Sequence, residues 1–202
     1  MITKNTYEVL KEKYGKFSSW AVWDRAGATP ASNTGSMNWV DDPRLLRILN
    51  TGFVFVGLNA SNTHGNQDGE FETAWKNFHS DYRYQKDFKL RFALQDTRYW
   101  GSYLTDVIKG HVEVESGKVA KYLKEHPEVA EENTSALEEE LSCLGKRPVL
   151  VAIGAKTDEI LREYLGDKYP VVPIPHYAAP MGKETYRERV LTALEEHVRQ
   201  SL

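Results

Sequence analysis

Two runs of unbroken apolar residues, 52–57 (GFVFVG) and 148–153 (PVLVAI), interrupt a chain that is otherwise amphipathic. Continuous apolarity over so few positions, bounded by glycine or proline, fits a strand covered on both faces, as in a parallel sheet. Residues 99–108 (YWGSYLTDVI) read as a strand leading into a polar turn. Residues 170–175 (PVVPIP) read as a short strand whose prolines suit a sheet edge. Residues 18–24, with Trp20, Val22 and Trp23, are compatible with one more strand.

Between these runs the apolar period lengthens to that of a helix. Residues 6–14 put Tyr7, Leu10 and Tyr14 on one face, and residues 43–49 read as a short helix. Residues 70–80 space Phe71, Trp75 and Phe78 as a helix would, and residues 81–95 continue as a helical stretch of mixed charge. Residues 118–144 predict helix with a break near Pro127 and caps at 133–135; residues 156–165 and 185–202 predict two more helices. Residues 27–42 and 59–69 are polar, glycine-containing loops. A loop as long as the first is often functional.

This order predicts an α/β fold: a three-layer α/β/α sandwich around a central, mostly parallel four-stranded sheet, in one domain over 1–202. Ligands of such sheets gather at the carboxyl ends of the strands. The loops after Gly57, Leu104, Ile153 and Pro175 therefore border the expected crevice.

Composition narrows the function classes. At 202 residues the chain can build a core without disulfide or metal, and its one cysteine, Cys143, excludes an internal disulfide and an all-cysteine zinc site. Cys143 reads as a small buried apolar residue. The net charge of -3 argues against nucleic-acid binding by the whole surface and confines any DNA contact to a local patch. The opening segment, MITKNTYEVLKEKYG, resembles neither a secretory signal nor a membrane span. A soluble, cytoplasmic monomer is expected.

Two loops carry candidate chemistry. Residues 57–65 (GLNASNTHG) end a buried strand in glycine and then present Asn59, two hydroxyls and His64. Backbone amides of such a loop can hold an anion, and the Asn59 amide can orient a water or read a base edge. An Asx-turn capped by Ser61 explains the same residues without function. The pattern of a phosphate-binding loop is missing, which argues against nucleotide triphosphate hydrolysis. Residues 173–182 (PIPHYAAPMG) follow an edge strand with His176, the small Ala178 and Ala179, and the flexible apolar Met181.

Other features read more plainly. His64, Asp68 and His79 match no metal-ligand spacing and read as loop residues. Lys183, Arg187 and Arg189 read either as a phosphate-facing patch or as the polar face of the last helix. Residues 138–140, all glutamate, read as a solvated helix face. Core packing accounts for most of the tryptophans, with Trp39 placed to lie over a pocket.

Taken together, the motifs resemble the uracil-DNA glycosylase superfamily, in particular the branch of mismatch-specific and thymine-DNA glycosylases. Val56-Gly57-Leu58-Asn59-Ala60-Ser61 resembles the first motif, with Ala60 where proline is usual. Ala74-Trp75-Lys76 is similar to a Phe-Trp-Lys stretch, and Leu104-Thr105-Asp106-Val107-Ile108 to an Ile-Thr-Asn-φ-Val strand with Asp for Asn. Residues 149–155 (VLVAIGA) resemble a strand ending in φ-Gly-x-x-Ala. Residues 176–181 resemble a His-Pro-Ser-Pro-φ motif, one residue longer and without the Pro-Ser pair. The order and spacing agree from about Phe53 to Arg189.

The resemblance implies a metal-free, cofactor-free hydrolysis of the N-glycosidic bond of a flipped base in DNA. Asn59 would position the attacking water and His176 would stabilise the departing base. Asp106 would read the base beside Gly57 and Leu58, with Trp75 or Phe71 stacking on it; core packing is the alternative for each aromatic and the preferred one for Phe78. Ser61, Ala179, Met181 and Lys183 would contact DNA, Met181 as the wedge. An ionised Asp106 only accepts hydrogen bonds, so it suits a base with an amino group better than uracil; a turn cap is its plain reading. The rival expectations are a non-catalytic nucleotide- or nucleic-acid-binding relative and a small-molecule hydrolase on the same fold.

Overall fold

The computed structural model of the chain describes residues 2–60, 71, 73–82, 84–111, 113 and 115–201. It is an α/β protein built on a five-stranded sheet, one strand more than expected. The strands are β1 (Ser19–Trp20), β2 (Asn50–Asn59), β3 (Ser102–Ile108), β4 (Val149–Ile153) and β5 (Val171–Ile174), in the order β1-β3-β2-β4-β5. β2, β3, β4 and β5 are mutually parallel and only β1 is antiparallel. The additional strand is the 18–24 segment reduced to two residues, paired as Ser19 with Leu104 and Trp20 with Tyr103.

Strand periodicity sorts the apolar run of β2 onto two faces. Val54 and Val56 enter one core with Leu10, Leu137, Leu141 and Leu161; Phe55 enters the other with Leu90, Leu94, Tyr186, Val190 and Leu194. The first core draws on α1 (Lys4–Tyr14), α5 (Pro127–Ser142) and α6 (Ala155–Leu165), the second on α3 (Phe88–Leu94) and α7 (Lys183–Gln200). Both faces of β2 are thus covered, which is why its sequence shows no alternation. Each fully buried Val, Leu or Phe contributes about 1.5–3 kcal/mol of transfer free energy. Two further α-helices are α2 (Leu45–Ile48) and α4 (Ser116–Glu125). No helix among the described residues is long and apolar enough to cross a membrane.

Several local expectations are corrected by tertiary contacts. The described part of 70–80 is a run of turns, with Trp75 at φ 67° and Phe78 at φ 62°. Its backbone donors go to the end of α1 instead of to a helix ladder: Phe71 N to Lys16 O (2.9 Å) and Trp75 N to Gly15 O (2.7 Å). Gly15 permits this approach, since a Cβ there would lie 3.0 Å from Ala74 Cβ. Among the described residues of 81–95, only Phe88–Leu94 is helical.

The expected caps at 133–135 lie inside α5, where Asn133 accepts from Lys109 N (2.6 Å) and Thr134 bonds back to Ala130 O (2.8 Å). Glu140 is fully buried, against the expectation of a solvated face: it pairs with Lys109 (2.7 Å) and accepts from the Tyr103 hydroxyl (2.8 Å). Trp39 is buried against His79, with ring centroids 5.2 Å apart, and Arg91 pins the long loop through the carbonyls of Pro30 and Ser32.

Candidate functional site

Parallel pairing brings the carboxyl ends of β2, β3, β4 and β5 to one end of the sheet. Gly57 pairs with Asp106 and Asn59 with Ile108, so Asn59 and Asp106 sit on neighbouring strands, offset by two residues along them. β5 lies two strands from β2 across β4, and His176 follows two residues after its end. Gly154, which ends β4 at φ 94°, passes close under the histidine: a Cβ there would lie 3.4 Å from His176 Cβ.

Asp106 is buried, and its Oδ2 accepts from Asn77 Nδ2 at 2.8 Å. Asn77 is itself fixed, donating to Phe17 O (2.7 Å) and accepting from Phe78 N (3.0 Å), so it holds the carboxyl in one orientation. Oδ1 lies against Gly57, where any side chain would collide with it, and the Phe78 ring lies beside the same spot. No described residue donates to Oδ1. Burial raises the Asp106 pKa to about 6, while the Asn77 bond and the Lys109 charge pull the other way.

Asn59 is half-buried, and its Nδ2 donates to Ala60 O (3.1 Å), His111 O (3.1 Å) and Glu113 O (2.9 Å). The nitrogen side therefore ties the end of β2 to the loop after β3, leaving Oδ1 as the side that can accept from a ligand. His176 accepts from Ala178 N at Nδ1 (3.1 Å), which puts the proton of the neutral ring on Nε2. Crowding by Tyr177, whose ring centroid is 4.3 Å away, accompanies a pKa lowered by desolvation. His176 is thus a neutral donor with an accessible edge. Burial raises the Tyr177 hydroxyl pKa, and the charges of Asp87 and Asp106 raise it further.

The other candidates divide. Gly57 and Leu58 are buried at the end of β2. Phe71 is half-buried beside Lys16. Trp75 is corrected: it is fully buried in an aromatic knot with Tyr7, Trp20 and Tyr103, with its indole N–H on the Tyr7 hydroxyl (2.8 Å), and cannot stack on a ligand. Phe78, taken as core, is buried in the second core, with its ring beside Gly57.

Ala179 and Met181 are half-buried, and Met181 packs against the second core, so its side chain is no free tip. Lys183 lies 4.3 Å over the Phe92 ring and pairs with Glu184; Arg187 caps α3 through Ala93 O (3.1 Å) and Gln95 O (3.0 Å). Neither points as a phosphate patch requires. Ser61, His64 and Asp68 lie outside the described residues, and no metal-ligating group of three occurs among the described ones.

Sequence reasoning missed Asn77, Asp87 and Lys89. The Lys89 side chain is buried and donates to Ala179 O (3.0 Å) and Met181 O (2.8 Å), fastening the histidine loop to α3. Burial raises the Asp87 pKa to about 7; its Oδ2 accepts from Ser80 N (3.1 Å) and its Oδ1 is buried with no partner among the described residues. Asp106 was legible, since a carboxylate inside an apolar strand needs a reason. Asn77 and Lys89 carry no comparable signal. Compared with known proteins, the chain matches no family model, no curated protein and no solved structure.

Proposed function

We propose that this chain is a uracil-DNA glycosylase-like hydrolase that releases a base bearing an exocyclic amino group from DNA, on a three-layer α/β/α frame. The observation that carries the reading is the Asp106 carboxyl, clamped by Asn77 at one oxygen and unpartnered at the other among the described residues, at the strand end next to Asn59. A clamped acceptor of this kind selects an amino group by hydrogen bonding and leaves a keto oxygen repelled.

The chemistry follows from the same groups. As the C1′–N bond breaks, its electron pair leaves with the base, and the Nε2–H of His176 stabilises the charge that develops on a ring carbonyl or nitrogen. Water then bonds to C1′, oriented by a hydrogen bond to Asn59 Oδ1, and its proton passes to solvent. The Phe78 ring supplies a face on which the flipped base stacks, offsetting part of the few kcal/mol that unstacking costs.

The three bonds that Asn59 makes to backbone carbonyls favour a second reading, a nucleotide-binding relative in which the amide is only a structural tie. An assay of base release from oligonucleotides carrying cytosine, adenine and their damaged or mismatched forms separates the two. The hydrolase reading expects release by the wild type and none by Asn59→Ala with binding retained. Absence of release from every substrate overturns it.

A further inference from the structure

We infer that Tyr122 is a positioning residue for Asn59: by stacking on His111 it fixes the loop whose carbonyls hold the Asn59 amide, and so sets the direction of Asn59 Oδ1. The consequence for turnover rests on the base-release reading. An asparagine amide turns easily about its last torsion, and a half-turn exchanges its oxygen and nitrogen sides. At Asn59 the choice is made by what surrounds Nδ2: Ala60 O (3.1 Å), His111 O (3.1 Å) and Glu113 O (2.9 Å) all accept from it. After a half-turn, Oδ1 would face these carbonyl oxygens with no donor to meet it. Two of the acceptors, His111 O and Glu113 O, belong to the loop after β3, so the direction of Oδ1 depends on where that loop is held.

The loop is held on both sides of a pivot. Before it, Lys109 is anchored: its N donates to Asn133 Oδ1 (2.6 Å) and its Nζ to Asp106 O (2.9 Å). Gly110 then turns at φ 75°, and a Cβ there would meet nothing within 4 Å, so the turn has open space beside it. Beyond it, the His111 ring lies flat on the Tyr122 ring, with centroids 4.3 Å apart and planes at 7°. His126, at the end of α4, packs on the same tyrosine at 4.6 Å. Val119, one turn before Tyr122, is fully buried in the first core, so α4 gives the stack a fixed base. Glu115 N donates to Glu113 Oε1 (3.0 Å), closing the loop onto the start of the same helix.

Aromatic pairs of this kind add to stability beyond the area that they bury. Deleting one ring frees the loop to swing about Gly110. The carbonyls of His111 and Glu113 then leave Nδ2, and the amide loses its single orientation. Base recognition uses other groups, so the loss falls on the step in which Asn59 orients water.

Hydrogen exchange of side-chain amides, followed by NMR on the isotope-labelled full chain, tests this without substrate. The Asn59 signal is the one missing from Asn59→Ala. Tyr122→Ala is expected to speed its exchange roughly fivefold, the factor that such a stack is worth. His111→Ala deletes the same stack from the loop side without altering α4 and is expected to give the same factor, with no further rise in the double variant. Tyr122→Phe keeps the ring and is expected to stay within about twofold of wild type. Asn77, held by Phe17 O and Asp106, is the internal control and is expected to stay unchanged in all of them. In a base-release assay, Tyr122→Ala is expected to lose about fivefold in kcat with KM held.

Unchanged Asn59 exchange in both alanine variants overturns the positioning role. So does an equal rise at Asn77, which is general loosening, an equal rise in the phenylalanine variant, or wild-type exchange at Asn59 as fast as in an unprotected asparagine. Unchanged kcat for Tyr122→Ala in a chain that does release base overturns it as well. Exchange that shifts as expected, in a chain that releases no base, sinks the hydrolase reading alone. Base release with an unmoved Asn59 amide sinks the positioning role alone.

Discussion

Three buried acids of this molecule differ in how their oxygens are used. Glu140, under β3, gives one oxygen to the Tyr103 hydroxyl and the other to Lys109, and its side chain is wholly enclosed. Asp87 bonds Ser80 N at one oxygen and has the other sealed without a partner among the described residues. Asp106 bonds Asn77 at one oxygen and lays the other against Gly57, with no donor to it among the described residues. A buried acid with both oxygens engaged is structural; one with spare acceptor capacity at a strand's carboxyl end is free to recognise a ligand.

The largest test of this contrast removes the closed acid. Glu140→Ala strands Lys109 and the Tyr103 hydroxyl, and is expected to cost about 3 kcal/mol, read as a lower urea midpoint at unchanged slope. A loss under about 1 kcal/mol would show that the network is not a unit.

Next in size is the sealed acid. Asp87 takes its proton at about 7 when folded and near 3.8 when unfolded, so the folded state holds more protons between these values and stability falls as pH rises through them. Asp87→Asn is expected to raise stability at pH 8 by roughly 2–3 kcal/mol, with the gain vanishing near pH 4. A gain that does not depend on pH would refute the assignment.

The open acid is expected to act on turnover instead of folding. Asp106→Asn keeps the Asn77 contact possible and should cost about 100-fold in kcat/KM for an amino base, with the thermal midpoint at neutral pH no lower than that of the wild type, since the raised carboxyl pKa costs the folded state stability there. In the wild type the rate should climb as the pH passes about 6 and the carboxyl ionises, whereas the variant profile should lack that step. Smallest of all, Lys183→Ala removes a contact over Phe92 and a surface pair with Glu184, and should shift stability by under about 0.5 kcal/mol and leave DNA binding as it was. A marked loss of DNA affinity in a titration would restore Lys183 to the interface.

The sheet was readable because its central strands are covered on both sides: 52–57 and 148–153 have no polar alternation to hide. The prolines of 170–175 correctly marked an edge. The stretch 70–80 was misread because Phe71, Trp75 and Phe78 have helical spacing, while the backbone donors that decide the conformation are taken by the carbonyls of Gly15 and Lys16, far away in sequence.

The same limit explains the site. Asn59, Asp106 and His176 sit on strand ends, where position alone singles them out. Asn77 and Lys89 matter through partners 29 and at least 90 residues away, which no local pattern encodes. Trp75 lies in the core, not at the site, because spacing reports which residues share a face and is silent about what that face packs against.

One margin of the sheet has a consequence for the behaviour of the protein in bulk. Along β5 the carbonyls of Pro170 and Ile174 face inward to β4, so Val171 and Pro173 face outward. There Arg162 occupies the Val171 carbonyl at 3.1 Å, and Pro173 has no N–H to offer. At the opposite margin β1 presents only two residues. Neither border can template another chain, so even concentrated preparations should resist growing into β-linked fibres.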